Sequence, residues 1–326
     1  MASPLAKIGV LSIGDMGMGI AKLLIAHGFS VATCGKGRSN DTIERAKSAQ
    51  VDVLASDVEL ADACSVILSM VPPRDAAATA ERVVETFVGT TSRDPPLYFA
   101  DLNAVAPSTC RSIAALIEKS RAPIRFVDGA IIGAPPSLRA GADGSSSSSS
   151  SSSSKWNRPS VPMSGPHKLS DIPGFGPALA SALNARHISD DVGAASGLKM
   201  CFASMAKGFT SIAIQSFTTA ARLGVLDELR REVPAATLEK AEKGVVDMPP
   251  KAYRWVREME EIALTFEEDG GFSQDSFRGA AKVYKAVAED SPLGQEKVGK
   301  RKRGTTVDDV AAALIEGMDK RKKKNV

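Results

Sequence analysis

One stretch constrains the fold more than any other, residues 6 to 39, AKIGVLSIGDMGMGIAKLLIAHGFSVATCGKGRS. Ile8, Val10 and Leu11 make a short apolar run, glycines follow at once, and Met16, Ile20, Leu23 and Leu24 then recur at helical spacing. A second β-type run, Phe29 to Cys34, completes strand, tight turn, helix, strand, which is a βαβ unit. Its turn reads Ser12-Ile13-Gly14-Asp15-Met16-Gly17, a dinucleotide-binding fingerprint with serine in place of the first glycine. In this pattern the first residue makes the sharp turn, Gly14 lets the backbone approach a pyrophosphate, and Gly17 lets the helix pack on the strand. The unpaired N–H groups and positive dipole end of the helix face the phosphate.

The end of the second strand discriminates between nicotinamide cofactors, because an acid there takes a ribose 2′-hydroxyl, whereas a 2′-phosphate needs cations and hydroxyls. Here Cys34-Gly35-Lys36-Gly37-Arg38-Ser39-Asn40 contains no acid before Asp41. Lys36, Arg38 and Ser39 are therefore expected at a 2′-phosphate, and NADP(H) is the expected cofactor.

Strand and helix signals go on alternating. Val51 to Leu54, Ser65 to Val71, Leu97 to Leu102 and Ile124 to Ile132 read as strands; a helical pattern follows Pro72-Pro73 to about Val88, and Pro107 to Lys119 reads as another helix. Such alternation predicts an α/β Rossmann domain, a doubly wound and mostly parallel sheet whose ligands sit at the carboxyl ends of its strands. Val71, Pro72 and Asn103 fall at such ends and are candidates to line the cofactor. Gly144 precedes ten serines, 145 to 154, a composition that cannot bury enough apolar surface to offset its ordering entropy. We read 144–158 as a disordered loop inside the first domain, before a short β-like VPMSG at 161 to 165.

From Asp191 onward helical patterns take over, which places a Rossmann domain at 1–190 and an all-α domain at 191–326. The first of these helices, starting near Asp190-Asp191, is apolar or small on every side from Val192 to Ala206 except at Lys199. A lysine there either snorkels to water or is held for chemistry, since unpaired burial is costly.

Composition bounds the partners. At 326 residues, 43% hydrophobic and net charge +3, the chain suits two domains with a substantial core. Residues 297 to 326 carry ten Lys/Arg against four Asp/Glu, which leaves everything before them at −3, so a nucleic-acid footprint on the folded domains is not expected. The basic runs KRKRG (300 to 304) and KRKKK (320 to 324) read as solvated flanks of a last short helix, VDDVAAALIEGM, with a nuclear-import or nucleic-acid role as the other reading. Four scattered cysteines and three histidines suggest neither a metal site nor a disulfide framework. With no signal peptide or membrane-length apolar run, the expected setting is cytoplasmic, with no membrane partner.

The chain resembles the β-hydroxyacid dehydrogenase family, the group of 3-hydroxyisobutyrate and 6-phosphogluconate dehydrogenases, over nearly its whole length. IGVLSIGDMGMGIA is similar to that family's cofactor fingerprint, DLNAVAPST to its segment beside the nicotinamide, DGAIIGAP to its substrate-recognition turn and GAASGLKMCFAS to its catalytic helix. The stretch AYRWVREMEEIALTFEEDGGFSQDSFRGAAKVY resembles a fungal-type branch with a 6-phosphogluconate-dehydrogenase-like helical domain. The resemblance implies that Lys199 is the catalytic acid/base and that the chain is a homodimer through its helical domain. It departs from the family in three places. Ile132, before Gly133 and Ala134, stands where a substrate-carboxylate serine is usual. The asparagine one turn after the lysine falls among Phe202, Ala203 and Ser204. A later Lys-Asp pair is replaced by Glu260-Glu261.

These readings converge on an NADP(H)-dependent oxidoreductase acting on a small hydroxy/carbonyl substrate, with Lys199 as general acid/base. Ile132, Gly133, Ala134, Ala203, Arg254 and Glu258 are the substrate-side candidates. Arg254 and Glu258, at i, i+4 on a helix opened by Pro249-Pro250, are read either as substrate contacts or as a surface ion pair. The lost anchors leave two alternatives, a non-catalytic NADPH-binding protein and an imine reductase on the same fold.

Overall fold

In the computed structural model, which describes residues 3–90, 92–139, 155–297 and 300–324, the strand and helix alternation closes into one eight-stranded sheet. Its elements in chain order are β1 (Lys7–Leu11), α1 (Asp15–Ala26), β2 (Ser30–Cys34), α2 (Asn40–Ser48), β3 (Asp52–Leu54), α3 (Asp57–Ala63), β4 (Val66–Ser69), α4 (Ala76–Glu85), β5 (Leu97–Asp101), α5 (Pro107–Ser120) and β6 (Ile124–Gly129). A two-stranded ribbon, β7 (Ser137–Leu138) and β8 (Trp156–Asn157), leads to β9 (Val161–Ser164), α6 (Gly176–Leu183) and β10 (Ala185–Ser189). The sheet order is β10-β9-β6-β5-β4-β1-β2-β3, parallel throughout except for the antiparallel pair β6–β9. The doubly wound fold expected from the sequence is the fold found.

The chain leaves β1 for β2 on one side and later returns through β4 on the other, so the sheet reverses its direction of growth between β1 and β4. A crevice opens at the carboxyl ends of such neighbouring strands, which is where ligands of this architecture sit. The central strands are apolar because both faces are covered: every residue of β4 and β5 is buried. Ile20 and Leu24 of α1 pack with Val10 and Leu68 on one face, and Ile113 and Ile117 of α5 pack with Ile67 and Phe99 on the other. Full burial of a side chain such as Leu68 or Phe99 contributes about 1.5–3 kcal/mol each.

The chain divides into two compact units, Met1–Lys199 and Met200–Val326. The first extends past the expected boundary at 190 because the start of α7 (Ala194–Ala203) is hydrogen-bonded into the sheet, as described below. α6 and β10 were not expected; their sequence, GPALASALNARHIS, lacks a clear period, and β10 is only half-buried at the sheet's edge.

The second unit follows α7 with a π-helical turn at Ser204–Gly208, then α8 (Phe209–Leu223), α9 (Leu226–Glu232), α10 (Ala235–Asp247), α11 (Ala252–Glu268), α12 (Asp275–Glu289) and α13 (Val307–Lys324). α11 and α12 pack along each other, with Tyr284 fully buried edge-on to Trp255. Among the described residues no helix is long and apolar enough to cross a membrane.

Two expectations about flanking segments are corrected. The serine tract lies outside the described residues, but the end of the expected loop does not: Trp156 and Asn157 pair with Leu138 and Ser137, because Arg139 and Lys155 close the ribbon with a 2.9 Å backbone hydrogen bond. The basic runs are not simply solvated flanks. Gly304 is buried, Asp309 accepts from Arg303 at 2.7 Å and from the Gly304 amide, and Lys320–Lys324 continues α13, with Arg321 paired to Asp290 at 2.8 Å.

Candidate active site

The turn after β1 is built as a cradle. Ser12 adopts a left-handed backbone, φ +79°, so the serine makes the sharp turn that glycine usually makes. A β-carbon on Gly17 would lie 1.9 Å from the Ser12 carbonyl oxygen, so only glycine lets α1 approach β1 this closely. Gly14 is different: a β-carbon there would meet only the Ser12 hydroxyl, at 4.0 Å. Packing within the protein therefore does not demand glycine at 14, and its backbone is left open on the outer side. Gly14 also caps α1 without a side-chain hydrogen bond, which leaves the first-turn amides of that helix to a ligand. Asp15 and Met16 begin the helix, Asp15 exposed and Met16 half-buried.

A cavity of about 170 Å³ beside this turn is lined by Ser12, Ile13, Gly14, Thr33, Cys34, Arg38, Thr42 and Arg45. Arg38 is where the sequence placed it. Lys36 is not: it faces a separate hollow with Ser56, Asp57 and Arg82, because the turn closed by the Arg38 amide on the Gly35 carbonyl, with Gly37 left-handed, separates the two side chains. Ser39 is occupied in capping α2, where its hydroxyl accepts from the Thr42 amide and meets the Thr42 hydroxyl at 3.0 Å. Thr42 and Arg45 line the cavity beside Arg38. Their i, i+3 spacing on α2, following Arg38, was the signal available in the sequence.

At the ends of β4 and β5, Val71 is buried, Pro72 is exposed, and Asn103 is held rigidly. The Asn103 side-chain amide donates to Asp101 at 2.9 Å and to the Ser69 hydroxyl at 3.1 Å, and its backbone amide donates to Asp101 at 2.9 Å. Its carbonyl oxygen Oδ1 is buried without a hydrogen-bond partner among the described residues, an acceptor kept open at the crevice. Burial pushes the Asp101 carboxyl up to about 7, against the opposing hydrogen bonds from Asn103.

The next strand end carries the lysine. Lys199, half-buried on α7, donates from Nζ to the Ile131 carbonyl at 2.5 Å. Ile132 forms an antiparallel bridge with Ser160, Gly133 takes φ +135° against Pro159, and Ala134 is exposed. Three residues before Ile131, Asp128 is fully buried and accepts from the Gly193 amide at 2.9 Å, the Ala195 amide at 3.2 Å, the Ser196 amide at 3.3 Å, the Ser164 hydroxyl at 2.7 Å and the Ser196 hydroxyl at 2.6 Å. The Cys110 thiol donates to it at 3.1 Å, and burial, then the nearby Asp128 and Asp101 charges, push that thiol well above its ordinary range. Asp128 escaped sequence reading because its partners are spread over Cys110, Ser164 and 193–196.

The remaining substrate-side candidates lie in the second unit. Ala203 is buried and Arg254 exposed. Glu258 is not a surface partner of Arg254: it is buried and forms a close ion pair with Lys207 of the π-turn. The Lys207 ammonium lies 5.1 Å from the centre of the Trp255 ring, and the Tyr284 hydroxyl donates to the Lys207 carbonyl. Arg257 takes the other acids, Glu260 at 3.1 Å and the buried Glu261 at 2.7 Å.

Residues 7–150 match the family described as the NAD binding domain of 6-phosphogluconate dehydrogenase, and residues 220–287 match a domain of unknown function, DUF1932. Residues 7–150 are thus similar to the cofactor-binding domain of 6-phosphogluconate dehydrogenase. A 3-hydroxyisobutyrate dehydrogenase from Salmonella typhimurium shares the fold at TM-score 0.63 and 18% identity, over 94% of this chain and 99% of that one. The Mycobacterium tuberculosis 3-hydroxyisobutyrate dehydrogenase shares it at TM-score 0.62 and 16% identity, over 95% and 98%. An uncharacterised 28.5 kDa protein of Methanothermus fervidus is 27% identical over 224 residues, 68% of this chain and 74% of that protein. The chain thus carries a match to a nicotinamide-cofactor-binding domain and shares the fold of the 3-hydroxyisobutyrate dehydrogenases.

Proposed function

We propose that the protein is an NADP(H)-dependent oxidoreductase acting on a small hydroxy/carbonyl substrate, with Lys199 as the proton carrier. The observation that carries this reading is the Lys199 ammonium, held 2.5 Å from the Ile131 carbonyl, beside Ile132 and the turn that follows. The cofactor supplies the hydride. The chain's own residues do the rest. The α1 amides and Gly14 receive the pyrophosphate, and Arg38, Thr42 and Arg45 receive the 2′-phosphate. Asn103, fixed by Asp101 and Ser69, would offer its Oδ1 as an acceptor to the nicotinamide end of the cofactor. Lys199 as the neutral amine takes the proton from a substrate hydroxyl in oxidation, and as the ammonium gives it to a carbonyl oxygen in reduction. Ile132, in place of a hydroxyl side chain, favours an apolar substituent over a carboxylate at that strand end, which brings imines within the range of substrates to be tried. Exposed Phe202, Met205 and Ile212 support self-association through the helical unit as a homodimer, a state that light scattering on the purified chain checks.

The test is NADPH oxidation against a panel of aldehydes, keto acids and imines, repeated with Lys199→Met. That substitution keeps the apolar stem, so the variant is expected to fold and bind NADPH while its turnover falls about a hundredfold or more. A folded variant turning over at the parent's rate removes Lys199 from the mechanism and leaves a non-catalytic NADPH-binding protein. On the cofactor side, Arg45→Ala is expected to weaken NADPH about tenfold, the loss of one charge-assisted hydrogen bond, with NADH unchanged. Equal losses for both cofactors would refute the 2′-phosphate assignment.

A further inference from the structure

We propose that Asp128 is a positioning residue for Lys199, the buried charge that fixes the start of α7 so that the lysine's Nζ meets its place at Ile131. The inference rests on the reading of Lys199 as the proton carrier and deepens it. Two contacts with matched spacing join α7 to the end of β6. Ser196 and Lys199 lie three apart on one face of α7, while Asp128 and Ile131 lie three apart on the segment that receives them. The first contact fixes the first turn of the helix, and the second is the lysine itself.

Asp128 suits this task better than a neutral cap. Its two carboxylate oxygens accept from three amides at the start of α7, from two hydroxyls and from a thiol. A buried negative charge at a helix N-terminus is also held by the helix dipole, which makes the attachment resistant to rotation as well as to withdrawal. Ser164 adds a brace from β9, since its hydroxyl also accepts from the Ala195 amide at 3.0 Å. On the opposite side the helix start lies close to α5, and glycine at 193 makes the approach possible. A β-carbon on Gly193, where φ is +103°, would lie 3.0 Å from Pro107 and 3.1 Å from the Arg111 guanidinium, and one on Gly197 would lie 3.4 Å from Pro107. The first turn of α7 therefore lies between α5 and the carboxylate that accepts from its amides.

The test uses the full chain and needs no knowledge of the substrate. Lys199 is acetylated with an N-hydroxysuccinimide ester at fixed pH, its modification is followed by residue-resolved mass spectrometry, and amide hydrogen exchange is recorded in parallel. In Asp128→Asn, which keeps the side chain's shape but removes its charge, Lys199 acetylation is expected to rise about tenfold, the scale of one lost charge-assisted hydrogen bond. Exchange should accelerate at 193–199 while β1 and β4 keep their protection. Unchanged Lys199 labelling in a folded variant overturns the proposal, and so does acceleration spread evenly over the sheet, which would mean general loosening. If Asp128→Asn does not fold, Ser196→Ala removes one contact only, and a smaller rise of the same sign is expected; no rise is equally fatal. Once a substrate is found, the turnover loss caused by Asp128→Asn should vanish in a Lys199→Met background, whereas losses that multiply would show that Asp128 does not act through the lysine. Lys199→Met turning over at the parent's rate would instead refute the proton-carrier reading, whatever the labelling shows.

Discussion

The two units of this chain bury carboxylates by different means. In the first, Asp101 and Asp128 are 1% and 0% exposed, and the hydrogen bonds described for them come from amides, hydroxyls and a thiol. In the second, Glu258 and Glu261 are 8% and 1% exposed, and each is held by a cation, Lys207 and Arg257. Backbone architecture explains the difference. A parallel sheet with returning helices gathers strand ends and helix N-termini along one edge, where unpaired amides are plentiful. Inside a stack of helices the amides are already bonded to carbonyls one turn back, so a buried anion must be met by a charged side chain. The sheet edge thus meets its buried carboxylates with N–H, O–H and S–H donors drawn from strand ends and a helix start.

Three measurements would break or sharpen this contrast. The largest effect is expected from Lys207→Met, which leaves Glu258 buried beside an apolar stem: a loss of about 3–5 kcal/mol in urea unfolding, largely recovered when Glu258→Leu is added. A loss no larger than that of an ordinary surface substitution would mean that amides serve the second unit as well. Next comes Asp101, whose carboxyl is pushed up to about 7. The native state keeps a proton that the unfolded chain releases near pH 3.8, so the associated stability is fully present below that pH and is lost as pH rises through 7, by at most about 4 kcal/mol. Asp101→Asn should flatten that slope; an identical slope in the variant would assign it to another group. The smallest effect is expected at the exposed Arg231–Glu228 pair, where Arg231→Ala should move the melting temperature by less than about 2 °C. A larger shift would erase the distinction between buried and surface ion pairs on which the contrast rests.

The same architecture decided what could be read in advance. The strands and helices from Lys7 to Gly129 were legible because fully buried strands are unbroken apolar runs and their helices keep a clear period. The left-handed turn at Ser12 and the close helix approach at Gly17 were legible because such backbone demands are local. Lys36 was misplaced by a single turn whose direction the sequence does not specify. Thr42 and Arg45 needed the docking of α2 to show which of its faces meets the cavity. Asp128 and Lys207 were invisible for a stronger reason. A buried charge is explained by its partners, and those of Asp128 lie up to 68 positions away, while those of Lys207 include Tyr284, 77 positions away. The π-turn that carries Lys207 has the composition of an ordinary helix, SMAKG, and only its neighbours set it apart.

The short β7–β8 ribbon has one more consequence. Because Arg139 and Lys155 are bonded across its open end, the chain enters and leaves the intervening stretch at a single pinned doorway. The sheet is therefore tied to where that stretch begins and ends, at Arg139 and Lys155. A reporter peptide or a small guest domain spliced in between Arg139 and Lys155 is expected to leave β6, β9 and the Asp128 contacts as they are, which makes the doorway the place to attach a handle to this protein.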